Sequence, residues 1–422
     1  MEKTDCKYQM FVEILKRELV PATGCTEPIA LAYCAAKARA ALGAIPERVR
    51  IEASGNVVKN VKSVIVPHTA GKRGIATAAA IGILAGDAER GLEVLADADI
   101  SQETLENYLK TASFEVATLK SGHSLDIVVK VYHGTDEASA RVTGRHTTLV
   151  RVEKNGETLF ERSAKERKCS AHGNFTLKEI YDFATTAELS EIAPVLDRQI
   201  DANGVICEEG LKHPYGANIG TVLMKFGGDG VRNRAKARAA AGSDARMNGC
   251  ELPVVINSGS GNQGITVSIP VVEYAKELNV AKETLYRALI LSNLIAVHLK
   301  SGIGTLSAYC GAISAGAAAG AGIAFLHGAD LEAISHTVVN ALAITSGIVC
   351  DGAKASCAAK IATAVDAGIF GYEMVLCGQR FCGGDGIVSS DPEGTIRNIG
   401  YLAGRGMRET DKEILHIMTC YD

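Results

Sequence analysis

The chain has 422 residues, a formal net charge of −4 and 47% hydrophobic residues. This is enough to bury a large core, suits a split into two domains, and leaves no electrostatic footprint for nucleic acid or an anionic membrane. Twelve cysteines in a chain this long do not suit the disulfide framework of a small exported domain; they suit reduced thiols, some of them metal ligands.

Residues 1–17 mix charges throughout, so no secretory leader is expected and the expected compartment is the cytoplasm. Tyr8, Phe11, Ile14, Leu15 and Leu19 fall on one helical face over 5–20, and Pro21 stops that helix. Thr23 or Thr26 is placed to cap the next, with Pro28 in its first turn, 29–42 as its body and Gly43 at its end. Cys25 then sits at a helix N-terminus, where free N–H groups and the dipole favour a thiolate. Strands are predicted at 49–53, 64–66, 125–132, 138–142 and 147–152, and helices at 75–86 and 101–111. Asn155-Gly156 makes a tight hairpin turn into 157–160. This stretch reads as helices packed on a mixed or antiparallel sheet, and the charged run 161–168 as a linker or a solvated strand end.

From 175 onward the periodicity is helical: 177–187, 189–202 (interrupted by Pro194), 231–241, 271–278, 282–299, 331–348 and 358–371. The charge-free stretch 301–326 is built from Gly and Ala rather than Leu and Ile, which favours a core helix over a membrane span. The expected fold class is α+β. N-terminal helices (1–44) pack on a mainly helical catalytic domain (169–422), and a smaller, sandwich-like α+β domain (45–168) lies between them in sequence.

Gly259-Ser260-Gly261-Asn262-Gln263-Gly264 matches the dinucleotide glycine spacing after a strand-like 252–256. Residues 265–270 are rich in β-branched side chains and end in Pro270, so no clean helix is expected to present its N-terminus to a pyrophosphate. A loop of backbone N–H groups around Asn257, Ser258, Gly259 and Asn262, receiving an amino-acid carboxylate, is expected instead; the opposing reading is a plain tight turn. His68 and Thr69 are read either as substrate contacts or as a surface histidine beside a capping threonine.

Cys350-Asp351-Gly352-Ala353-Lys354-Ala355-Ser356-Cys357 sets two thiols around an acid, a glycine and Lys354, and Cys310 lies in an apolar segment ahead of it. Thiolates are soft-metal ligands, and an iron–sulfur cluster needs several of them from different parts of a fold. The opposing reading, small buried hydrophobes, is taken for Cys6, Cys34, Cys169, Cys207 and Cys250. By spacing alone Cys377, Cys382 and Cys420 stay open as ligands, and no paired Cys-x-x-Cys supports structural zinc.

Tyr309-Cys310-Gly311-Ala312-Ile313-Ser314-Ala315-Gly316, the 350–357 motif and Pro21-Ala22-Thr23-Gly24-Cys25-Thr26-Glu27-Pro28 resemble the L-cysteine desulfidase family. That family is related to the α-chain, or catalytic domain, of bacterial iron–sulfur L-serine dehydratases, and the resemblance covers essentially the whole chain. It implies a [4Fe–4S] cluster held by Cys310, Cys350 and Cys357 with one iron open to substrate, Cys25 as catalytic base, and no pyridoxal phosphate. The implied reaction is elimination from L-cysteine to pyruvate, ammonia and hydrogen sulfide. His68-Thr69 is the nearest match to a Ser/His/Thr loop in the small domain of the dehydratases, whose preceding serines are absent here. The dehydratase cysteines matching Cys350 and Cys357 lie further apart, which favours the desulfidase branch. Some dehydratases tuck a C-terminal cysteine onto the open iron, a place Cys420 would take.

The mechanism expected from this sets the substrate carboxylate on the N–H groups of 257–264, while Cys25, its pKa depressed by the helix end, removes the Cα proton. Three other readings compete: dehydration of L-serine or another β-substituted amino acid, a pyridoxal phosphate lyase with Lys354 as Schiff base, and a non-catalytic iron–sulfur redox sensor. The partners expected are a small-molecule substrate, neither nucleic acid nor membrane, and a second copy of the chain as a candidate homodimer.

Overall fold

The computed structural model describes residues 1–162 and 175–420, the Cys420 side chain excepted. The expected boundary near 168, Cys169, the side chain of Cys420 and residues 421–422 lie outside the described residues. In chain order the first elements are α1 (Cys6–Glu18), β1 (Pro21–Thr23), α2 (Thr26–Leu42), β2 (Arg48–Ala53), α3 (Gly55–Val61), α4 (Ile75–Ala85) and α5 (Gln102–Thr111). Five strands follow: β3 (Ser113–Thr118), β4 (Asp126–His133), β5 (Asp136–Thr143), β6 (Leu149–Lys154) and β7 (Glu157–Glu161). Then come α6 (Leu177–Thr186), α7 (Ala193–Lys212), α8 (Ile219–Gly227), α9 (Val231–Met247), β8 (Pro253–Val255), α10 (Gly261–Glu277) and α11 (Lys282–Ser301). The chain closes with α12 (Gly311–Leu326), α13 (Leu331–Thr345), α14 (Cys357–Leu376), α15 (Pro392–Tyr401) and α16 (Arg408–Cys420). The fold is α+β, with a mixed sheet beside a helical body.

The six-stranded sheet has the order β3-β2-β4-β5-β6-β7, with only β2 and β3 parallel. Its register follows the period of two: Val49 and Ile51 on β2, and Ile127, Val129 and Val131 on β4, are fully buried while Arg50, Val128 and Lys130 between them are less so. That buried face lies on α2, whose side chains from Ile29 to Ala36 are almost wholly enclosed. Asn155 and Gly156 both take positive φ, 49° and 81°, which suits the twist of the β6–β7 hairpin. α1 instead meets the helical body through its aromatic face. Tyr8 packs edge-on to Phe183 at 5.1 Å, and Phe11 to Phe175 at 5.2 Å.

The helical body is organised around α12, flanked by α10, α11, α13 and α14. Its composition explains the closeness of that packing. A Cβ on Gly316 would lie 2.3 Å from the Ala364 carbonyl oxygen, and one on Gly320 would lie 2.3 Å from that of Gly368. Backbone therefore meets backbone between α12 and α14, which only glycine and alanine permit. Among the described residues no helix is long and apolar enough to cross a membrane.

Several local expectations changed. Residues 64–66 form a loop rather than a strand, held by a single bridge between Ile65 and Arg73, and α3 precedes them. The uncharged run 301–326 is two things: a loop to Cys310, then α12. The β-branched stretch 265–270 is helical, with Pro270 inside α10. Every residue of α10 from Gln263 to Ala275 is buried, so tertiary packing outweighs the weak helix propensity of these side chains.

Candidate active site

Four cysteines far apart in sequence line one pocket: Cys25, Cys310, Cys350 and Cys357. Each is placed by a helix start or by a loop tied to one. Cys25 is the N-cap of α2 and follows Gly24, whose φ of +71° and contact with Pro67 admit no side chain. Cys310 is the N-cap of α12, and Cys357 is the first residue of α14. A bridge between Tyr309 and Val349 brings the Cys310 and Cys350 loops together. The Cys310 N–H donates to Ile348 O (3.2 Å), and the Cys350 N–H to Ala308 O (2.6 Å). Behind Cys350, the buried Lys59 ammonium donates to its carbonyl (3.2 Å) and pairs with Asp411 on α16 (2.5 Å).

The electrostatics follow from this enclosure. Burial, then the neighbouring Cys350, pushes the Cys310 thiol up to about 12, and burial also raises Cys357. Three free thiols in one buried pocket, two of them at helix N-termini, form a donor set suited to a soft metal. Among the described residues no three His, Cys, Asp or Glu side chains close on a single metal ion. An iron–sulfur cluster takes its thiolates on different irons, so it does not require three side chains to meet on one ion. Metal binding would displace the protons that burial retains on these thiols.

Cys25 has a different setting. Its thiol donates to Glu27 Oε2 at 3.2 Å, while Glu27 Oε1 accepts from Asn60 Nδ2 (3.2 Å) and lies 3.6 Å from His146 Nε2. Burial works to raise the Glu27 pKa, but the His146 ring, the Cys25 thiol and the Arg246 guanidinium together hold it down at about 2. Cys25 itself is pushed well above the ordinary thiol range, by burial first and by the Glu27 carboxylate second. This corrects the expectation of a depressed thiol: the position at the helix end is as expected, and desolvation outweighs it.

The other expected site residues divide. Ser258, Gly259 and Asn262 line the pocket, at the turn leading into α10. Asn257 lies behind it, fully buried, donating to Asn293 Oδ1 (2.9 Å) and accepting from the Ser258 hydroxyl (2.7 Å). His68, Thr69 and Lys354 are not among the lining residues. His68 Nδ1 faces Glu251 (3.3 Å), the Thr69 hydroxyl donates to Val66 O (2.7 Å) within its turn, and Lys354 pairs with Asp351 (2.5 Å). Cys377 and Cys382 are exposed; Cys377 is separated from Cys357 by the whole of α14, about 30 Å of helix.

Glu27, Asn60, Arg246, Gln263 and Lys300 line the pocket, and sequence reasoning assigned none of them a role. Glu27 stood inside the quoted Cys25 motif, which was the available signal. Arg246 ends an ordinary helix and Lys300 lies in the last turn of another, so nothing local marked them. His146 comes from the turn between β5 and β6 and supplies the imidazole that His68 does not. Burial lowers the Lys300 pKa.

The chain is similar to known proteins over nearly its whole length. The family described as serine dehydratase alpha chain matches residues 89–416. A UPF0597 protein of Desulfitobacterium hafniense is 53% identical over 422 residues, covering 99% of this chain and 98% of its own. UPF0597 proteins of Lachnoclostridium phytofermentans (49% identical; 97% and 99% covered) and Treponema denticola (46% identical; 98% and 98% covered) are similar over the same extent.

Proposed function

The chain belongs to the serine dehydratase alpha-chain family, and from that premise we propose that it is an iron–sulfur lyase that eliminates sulfide from L-cysteine. The observation that carries this reading is the meeting of Cys310, Cys350 and Cys357 with a fourth, differently partnered cysteine, Cys25, in one pocket. In this reading Cys310, Cys350 and Cys357 hold a [4Fe–4S] cluster. When bound, that cluster would supply Lewis-acid chemistry to the elimination.

The chain's own residues do the rest. The Ser258–Asn262 turn and the first N–H groups of α10 receive the substrate carboxylate, since Ser260 caps that helix without a side-chain hydrogen bond. Cys25 takes the Cα proton. To do so its thiol must first lose its own proton, and the acceptor within hydrogen-bond reach is Glu27. The electron pair of the Cα–H bond forms the Cα–Cβ double bond as the Cβ–S bond breaks and sulfide leaves. The aminoacrylate product tautomerises and is hydrolysed by water to pyruvate and ammonia. Burial of Cys25, Glu27 and Arg246 keeps bulk water from the proton transfer.

A second reading, dehydration of L-serine, is favoured by the family match itself. Anaerobically purified protein supplied with L-cysteine or L-serine separates them. Sulfide and pyruvate released together from L-cysteine, at a higher kcat/KM than pyruvate from L-serine, supports the desulfidase; the reverse order assigns the dehydratase.

A further inference from the structure

We propose that Arg246 and Gln263 form a clamp for the α-carboxylate and α-ammonium of an amino-acid ligand. The proposal rests on the reading of this pocket as an amino-acid site. Arg246, at the end of α9, is 2% exposed and lines the pocket. Its Nη1 donates to Asn262 Oδ1 (3.1 Å), but Nε and Nη2 have no hydrogen-bond partner. A buried guanidinium keeping two open donors is unusual, because unpaired buried donors are strongly disfavoured.

The two open nitrogens form one edge of the guanidinium, the edge that grips a carboxylate with two parallel hydrogen bonds. The chain shows the same edge in use elsewhere: Arg141 donates from Nε (3.0 Å) and Nη2 (2.7 Å) to the two oxygens of Asp126. At Arg246 those two donors are buried and unpaired. The turn beside it is shaped to match, since a Cβ on Gly261 would lie 2.3 Å from Nε and press on this edge.

Gln263, one helical position beyond Asn262, lines the same pocket, is 6% exposed and has an unpaired Oε1. It packs on Gly311, where a Cβ would lie 2.8 Å from its amide nitrogen, so it sits next to Cys310. An amide oxygen there accepts from an ammonium. The pair thus reads both ends of an α-amino acid beside the cysteines, and the carboxylate falls to a side chain in addition to the α10 N-terminus.

Calorimetric titration of the anaerobically purified protein with L-alanine and L-alaninamide tests the clamp without turnover. The amide retains the ammonium and lacks the carboxylate. Wild type should bind L-alanine at least about tenfold more tightly than the amide, and Arg246→Gln should lose that preference while leaving the amide unchanged. Equal binding of both by wild type, no binding of L-alanine, or an unaltered preference in Arg246→Gln overturns the proposal. If circular dichroism shows Arg246→Gln to be unfolded, Gly261→Ala keeps the guanidinium and displaces it; an unchanged preference there also overturns the proposal. L-cysteine turnover by wild type tests the underlying reading separately. Arg246-dependent alanine binding without sulfide release retires the desulfidase and keeps the clamp.

Discussion

The Cys25 thiol donates its hydrogen to Glu27 Oε2 across 3.2 Å, with both residues almost fully buried. The cysteine proposed as base is therefore protonated at rest, because burial and the adjacent carboxylate both oppose a thiolate. In the proposed mechanism Glu27 is the hydrogen-bonded group nearest that proton, and the two shifts keep the proton on sulfur at rest.

Replacing the thiol tests its role directly. Cys25→Ser should abolish hydrogen–deuterium exchange at Cα of bound L-cysteine and lower kcat by roughly 100-fold or more, with iron content unchanged. Exchange that persists in the variant removes Cys25 from the base role.

Glu27 gives a pH-dependent signature. Its folded pKa, about 2, lies below the ordinary 4.5. A carboxylate with a depressed folded value contributes stability above its unfolded pKa and loses it as pH falls toward the folded one. The stability gap between wild type and Glu27→Gln, up to about 3 kcal/mol, should be full above pH 5 and shrink as pH falls toward 3. Urea unfolding across that range measures it, and a gap independent of pH contradicts the assignment.

For the thiols proposed to hold the cluster, Cys350→Ser should lower both iron and acid-labile sulfide in anaerobically purified protein and abolish sulfide release from L-cysteine. Wild type should contain about four irons per chain. Full iron content in the variant excludes Cys350 as a ligand.

Gly352 adjusts the same loop from its backbone. Its φ is +95°, and a Cβ there would lie 2.5 Å from the Lys59 carbonyl oxygen. Gly352→Ala should destabilise the fold by about 1–3 kcal/mol and loosen iron retention, because it pushes the Cys350–Cys357 loop away from α3. Thermal melting and iron release to a chelator measure the two effects; an unchanged melting temperature contradicts the predicted strain.

The amino-acid sequence by itself determined what depends on near neighbours. The helical face of Tyr8, Phe11 and Leu15, the Gly43 stop after α2, the alternation along β4 and the Asn155-Gly156 turn were all legible, since each is a local pattern with a local steric cause. The cysteine set was implied by the family resemblance and not by spacing, which left Cys377 and Cys382 open until the fold placed them exposed and outside the pocket. Tertiary structure alone decided that β3 joins β2 in parallel, and that Ile265 to Pro270 is helical because it is buried on all sides. It also decided that His146 rather than His68 faces Glu27, and that Arg246 keeps two unpaired donors beside the Gly261 turn. The protonation of Cys25 belongs with these. A helix end acts through the nearest few residues and can be read from the sequence, whereas desolvation sums over every element packed around the thiol and exists only once the chain has folded.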